Sequence, residues 1–227
     1  LKRKGLIVLA ILLLPSLLYV FFALGKANFR KLPYHGPKAV RDTFINGQQQ
    51  KDSIPYSLPA FSIAGTQRQQ VSSNTFSGKP YIAAFISDWG PKTAKQLKGL
   101  AEYAKLKQED LSYIKFVFFV QSDSSLPAPL PEVADTLSID KSKCITLHGT
   151  AEEMIKLQKM YYVGLEGLVN KYINQAVLVD EKNHVRGYYD ISSVSGMKTL
   201  KEDFEHLVLH DEAQETKDQF NIETKRK

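Results

Sequence analysis

Tyr81-Ile-Ala-Ala-Phe-Ile-Ser87 contains no charged residue, and past Asp88-Trp89-Gly90-Pro91 a helical pattern begins. A short uncharged run of this kind reads as a strand buried on both faces, since a sheet covered by helices on each side leaves no polar face. Lys92 to Gln108 places apolar residues at Ala94, Leu97, Leu100, Ala101 and Ala104, a single stripe with lysines on the other side. A strand that passes through a tight turn into such a helix calls for a second, parallel strand to complete the crossover. Ile114-Lys-Phe-Val-Phe-Phe-Val120, bounded by Asp123, supplies that strand. The chain is therefore of the α/β class.

The remaining elements follow the same logic. A proline-punctuated loop (Pro127, Pro129, Pro131) leads to a short helix near Glu132–Leu137, and Cys144-Ile-Thr-Leu147 reads as a short strand. Thr150 suits the N-cap of a helix from Ala151 to about Tyr161, with Glu153 completing a capping box. Gln175–Val179 and Val185–Tyr189 flank a turn and predict a hairpin. Met197 to Leu209 forms a last helix through Leu200, Phe204, Leu207 and Val208. Upstream, Phe61–Ala64 and Gln70-Val71 suit a short hairpin about Gly65. A βαβ half followed by a ββα half predicts a mixed central sheet flanked by helices.

Leu6 to Leu24 carries no charge and is long enough to span a bilayer. Pro15 and Ser16 interrupt it as spanning helices tolerate, and Tyr19, Phe21 and Phe22 sit toward one end as interfacial anchors. The run is too long, and too poor in small residues at its end, for a cleaved signal peptide. The basic Lys2-Arg3-Lys4 predicts a single pass with the N-terminus inside and the globular part outside. The expected organisation is a transmembrane anchor at 1–25, a stalk or strap of little regular structure at 26–59, the α/β domain at 60–211, and a polar tail at 212–227 that frays or stays disordered.

The net charge of +6 belongs to the membrane-flanking part, because residues 1–51 carry nine Lys and Arg against Asp42 and the remainder is −2. No basic stripe points to nucleic acid. Cys144 is the single cysteine, which excludes an internal disulfide and any two-thiol metal or redox centre within the chain. Its place in an apolar strand predicts a packed, inert thiol. His206 and His210, four apart on one helix, have a spacing that can chelate a metal, whereas His35, His148 and His184 read as turn or surface residues.

Val177-Leu-Val-Asp180-Glu-Lys-Asn-His-Val-Arg186-Gly187-Tyr188-Tyr189-Asp190 resembles a strand–turn–strand of the SCO/SenC family, membrane-anchored thioredoxin-like proteins that bind copper and help assemble cytochrome oxidase. Val117-Phe-Phe-Val-Gln-Ser-Asp123, Leu147-His-Gly149 and Leu32-Pro33-Tyr34-His35-Gly36-Pro37 resemble further family elements, so the likeness runs from about Leu32 to His210. The resemblance implies a thioredoxin-like fold behind a single N-terminal transmembrane helix. It breaks where the family carries its Cys-x-x-x-Cys-Pro loop. Here Ser87-Asp88-Trp89-Gly90 runs directly into Pro91, and the family's third ligand, a histidine, is matched by Tyr172. Copper(I) needs soft thiolate or thioether ligands, and this turn has none.

The sequence thus predicts a degenerate site at Asp88, Trp89, Gly90, Pro91 and Tyr172, with no catalytic residue, cofactor or metal. Trp89 either anchors a partner or folds back to fill the shortened loop. Pro15 and Ser16 are candidate contacts of the span with neighbouring helices. The expected function is a non-enzymatic accessory or assembly subunit of a respiratory membrane complex, a cytochrome oxidase or an associated quinol:cytochrome c oxidoreductase. The expected place is the bacterial inner membrane, with the domain in the periplasm. The alternatives are a copper metallochaperone with a site moved to His206, His210 or His35, and an exported adaptor unrelated to respiration.

Overall fold

A computed structural model describes residues 13, 32–45, 48–87, 91–106, 116–123, 130–165 and 175–225. The chain divides into two units, Leu1–Lys31 and Leu32–Lys227. The apolar run 6–24, with Pro15 and Ser16, lies outside the described residues apart from Leu13. Among the described residues no helix is long and apolar enough to cross a membrane.

The second unit is built on a seven-stranded sheet. In chain order its strands are β3 (Ser62–Gly65), β4 (Gln70–Ser72), β5 (Tyr81–Ile86), β6 (Phe116–Gln121), β7 (Cys144–Gly149), β8 (Gln175–Val179) and β9 (Val185–Asp190). Across the sheet they run β4-β3-β7-β6-β5-β8-β9. β5, β6 and β7 are mutually parallel, while β3, β4, β8 and β9 add antiparallel pairs at the flanks. This is the predicted mixed sheet, with the βαβ crossover at its centre. All six residues of β5 are buried, because alternate side chains enter two different cores. Ile82, Ala84 and Ile86 enter the core on one face, and Tyr81, Ala83 and Phe85 enter the core on the other.

The first core is closed by α2 (Lys98–Leu106), into which a short α1 (Pro91–Gln96) leads, and by α3 (Val133–Leu137) and α5 (Val194–Lys225), through Leu100, Ala134, Leu200 and Phe204. The helix expected over Lys92–Gln108 is divided at Leu97. The i→i−4 bonds continue through the division, from the Leu97 amide to the Thr93 carbonyl and from the Ala101 amide to the Leu97 carbonyl, both 2.9 Å. The second core is closed by α4 (Ala151–Tyr161), which starts with the predicted capping box: the Thr150 hydroxyl accepts from the Glu153 amide and the Glu153 carboxylate accepts from the Thr150 amide.

Two expectations change. The strap at 26–59 contains regular structure, an antiparallel hairpin of β1 (Ala39–Ile45) and β2 (Gln48–Ile54) that forms a separate two-stranded sheet. Its register sets Arg41 opposite Asp52 and Asp42 opposite Lys51. The polar tail continues α5 as helix to Lys225, since Ala, Glu, Lys and Gln are good helix formers and no Gly or Pro interrupts them.

Candidate functional site at the carboxyl end of the sheet

Parallel strands end together, so β5, β6 and β7 deliver Ser87, Ser122-Asp123 and Thr150 to one rim. That is where open α/β sheets gather ligands. β8 reaches the same rim through Gln175, because Ala176 lies opposite Ala84. Of the predicted degenerate positions, Pro91 is the first residue of α1, a position suited to a residue without an amide hydrogen. Asp88, Trp89, Gly90 and Tyr172 lie outside the described residues, as does the choice between the two readings of Trp89. Gln121, Ser122, Asp123, Thr150 and Ala151 line a depression of about 340 Å³ at the rim. In the core between the sheet and the helix that Thr150 caps, Phe85 stacks on Phe119 at 4.7 Å and meets Tyr161 edge-on at 5.4 Å. The Tyr162 hydroxyl donates to the Gln175 carbonyl at 2.9 Å, tying α4 to the start of β8.

The single thiol is elsewhere. Cys144 opens β7 at the end opposite the rim, so the length of the strand, roughly 16 Å, separates it from Gly149. It is buried, and its Sγ lies 3.7 Å from the Asp140 carbonyl. Burial, reinforced by the nearby Glu132 and Asp140 charges, pushes the thiol up to about 12. A group held this far above neutral pH supplies neither a nucleophile nor a metal ligand. The inert packed cysteine expected from the sequence is what the fold contains.

The histidines divide differently from expectation. His184 does lie in the β8–β9 turn, and His35 lies on the strap, edge-on to Tyr188 at 4.9 Å. His148 is neither turn nor surface. It is 2% exposed on β7, where its ring lies against Pro131, ahead of α3. Its Nε2 lies 3.0 Å from the Pro131 carbonyl, which can only accept, so Nε2 carries the hydrogen. Among the described residues Nδ1 is buried without a hydrogen-bond partner. Burial lowers the pKa of both His148 and His35. His206 is half-buried on α5, and the side chain of His210 lies outside the described residues. Among the described residues no three His, Cys, Asp or Glu side chains converge on a position that could hold a metal.

The motif Asp180…Arg186-Gly-Tyr-Tyr-Asp190 is structural throughout. Asp180, 1% exposed, accepts from the Lys182 and His184 amides and from Arg186 Nη1 at 2.9 Å. Arg186 Nη2 donates to the Leu32 carbonyl at 2.6 Å and Nε to the Pro33 carbonyl at 3.2 Å. The guanidinium also lies 4.1 Å from the Tyr34 ring centroid. The His35 amide donates to the Val185 carbonyl and the Leu58 amide to the Asn183 carbonyl, so both feet of the β1–β2 hairpin are fixed on the β8–β9 turn. At Gly187 a Cβ would run into the Tyr189 ring and hydroxyl, so a larger residue there requires Tyr189 to shift. Tyr189 crosses that space to donate to Asp203 on α5 at 2.8 Å, and Asp190 accepts from the Ser192 amide where α5 begins. The sequence marks this segment as distinctive, but its role as a latch depends on carbonyls more than 150 positions away.

No protein-family model matches the chain, and no curated protein is similar to it in sequence. Solved structures are similar in fold. A SCO1/SenC family lipoprotein from Bacillus anthracis superposes with a TM-score of 0.51 at 19% identity, covering 67% of this chain and 95% of that one. BsSco, a member of the Sco family of cytochrome c oxidase assembly proteins in which a disulfide switch was identified, gives a TM-score of 0.51 at 15% identity, over 67% and 94% of the two chains. The resemblance carried by the β8–β9 motif therefore extends to the architecture, and the chain has the thioredoxin-like fold of the SCO1/SenC proteins.

Proposed function

We propose that this chain is a membrane-anchored, Sco-like binding protein without a copper or thiol-redox site. It acts as an accessory or assembly subunit of a bacterial respiratory membrane complex, a cytochrome oxidase or an associated quinol:cytochrome c oxidoreductase, with its domain in the periplasm. The observation that carries the reading is the position of the one thiol. The Sco-like sheet delivers hydroxyls, amides and a carboxylate to its carboxyl rim, while Cys144 is buried at the other end of β7 with its pKa raised to about 12. A rim with that donor set suits recognition of a protein surface better than transfer of copper(I) or exchange of disulfides. The apolar run 6–24 supplies the anchor, and Pro15 and Ser16 its contacts with neighbouring helices.

The test is co-purification of the full chain from mildly solubilised membranes. Oxidase or cytochrome-containing subunits are expected in stoichiometric amounts. Recovery of the chain alone in several detergents refutes the reading. Replacing residues 6–24 with a poly-leucine span then separates a docking helix from a tether: loss of the partner assigns the contact to the helix, and retention assigns it to the domain.

A further inference from the structure

A groove between α2 and the first turn of α5 is not accounted for by the latch or the rim. Its floor is Ile191 and Met197, and Gly99 lets α5 approach, since a Cβ there would stand 3.0 Å from Met197 Cγ. Lys95, Lys198 and Lys201 surround a volume of about 520 Å³, within the ~300–1,000 Å³ range of ligand pockets. Val194 at its edge is 90% exposed.

The charge is unbalanced. Among the described residues Glu102 is the only carboxylate in the lining, and it lies 3.7 Å from Lys98, outside the groove. Lys198 lies 3.8 Å from Glu202 with both side chains well exposed, a weak pair. Lys201 sits 5.3 Å from the Tyr103 ring centroid. Among the described residues no carboxylate pairs with Lys95. A positive groove with an apolar floor thus stands on a domain that is net negative beyond residue 51. Asp190, which precedes the groove residues on β9, lies opposite Gln175, so the groove opens at the same end of the sheet as the rim.

We infer that this groove receives a segment of a partner protein in which an apolar side chain is flanked by carboxylates. Met197 and Ile191 offer the apolar contact, and the methionine adapts to an irregular shape. The three ammonium groups select the flanking charges and steer the encounter. A free phosphate would leave the floor unused, and a flat anionic bilayer would not reach into it. The inference deepens the proposed function and takes from it the respiratory membrane complex as the source of the segment.

The experiment places a photo-crosslinking amino acid at Val194 of the full chain in native membranes and maps the adduct by mass spectrometry. The expected adduct is a carboxylate-flanked apolar segment in a subunit of the complex. Its yield should fall about tenfold in Lys95→Glu/Lys201→Glu, as expected for reversing two charges at an interface, and recover in Lys95→Arg/Lys201→Arg. Circular dichroism of each variant establishes that it is folded. A lipid adduct, a second copy of the chain, a segment lacking carboxylates, no adduct, or an unchanged yield after charge reversal overturns the inference. An acidic segment from a protein outside any respiratory complex supports the groove and removes the proposed partner. An adduct yield unchanged by charge reversal, with the complex still co-purifying, overturns the groove and leaves the proposed function standing.

Discussion

Arg186→Met tests whether the latch holds the domain together. The substitution keeps an unbranched side chain of related length but removes the guanidinium that Asp180, Leu32 and Pro33 share. The Asp180 and Arg186 side chains are 2% and 11% exposed, so this is a buried pair and not a surface one. Removing one partner of a buried pair costs about 3–5 kcal/mol, because the other charge stays behind unpaired. Asp180 keeps two backbone amides and lies 3.2 Å from the His184 ring, which places the expected loss near the lower end, about 3 kcal/mol. The carboxylate is the reason for the cost, so Asp180→Asn/Arg186→Met should lose less than the sum of the two single variants. Urea denaturation of the full chain in detergent, followed by far-ultraviolet circular dichroism, measures both quantities. Hydrogen exchange at the His35 amide, bonded to Val185, reports release of the strap. A loss under about 1 kcal/mol, the scale of an exposed ion pair, would refute the reasoning, as would an additive double variant.

Two further outcomes follow from buried titrating groups. His148 has its folded pKa lowered below the ordinary 6.5, so the unfolded chain binds more protons and stability falls as pH drops below about 6.5. Urea midpoints should be level above pH 7 and decline toward pH 5, with a shallower decline in His148→Gln; an unchanged slope in that variant would remove His148 as a cause. Cys144, with its thiol pushed up to about 12, should resist iodoacetamide at pH 8 in the folded chain and react once urea unfolds it. Rapid labelling of the native protein would contradict its buried position.

β5, β6, α4 and β8 are legible in the sequence, because each has a strong local signal: an apolar run, a capping box, or a hairpin turn flanked by β-branched residues. Features that depend on distant partners are not legible there. His148 reads as a turn residue beside Gly149, yet β7 extends two residues further than expected and carries the ring inward. The β1–β2 hairpin has no apolar alternation, so its strands are recognisable only once Arg41 and Asp52 are seen in register. The lysine groove combines α1, α2 and the start of α5, segments about 100 positions apart, and no local pattern predicts it.

By itself, the sequence determined the α/β class, the order of elements, and the absence of any two-thiol chemistry within the chain. These depend on hydrophobic period, capping residues and a count of cysteines, all local or compositional. Only the tertiary structure decided that Cys144 lies at the end of the sheet away from the rim, and that Arg186 works as a latch for the strap. Both are questions of which residues meet. The parallel register of β6 and β7 places Cys144 opposite Phe116 and Gly149 opposite Gln121, and that pairing separates the one thiol from the rim.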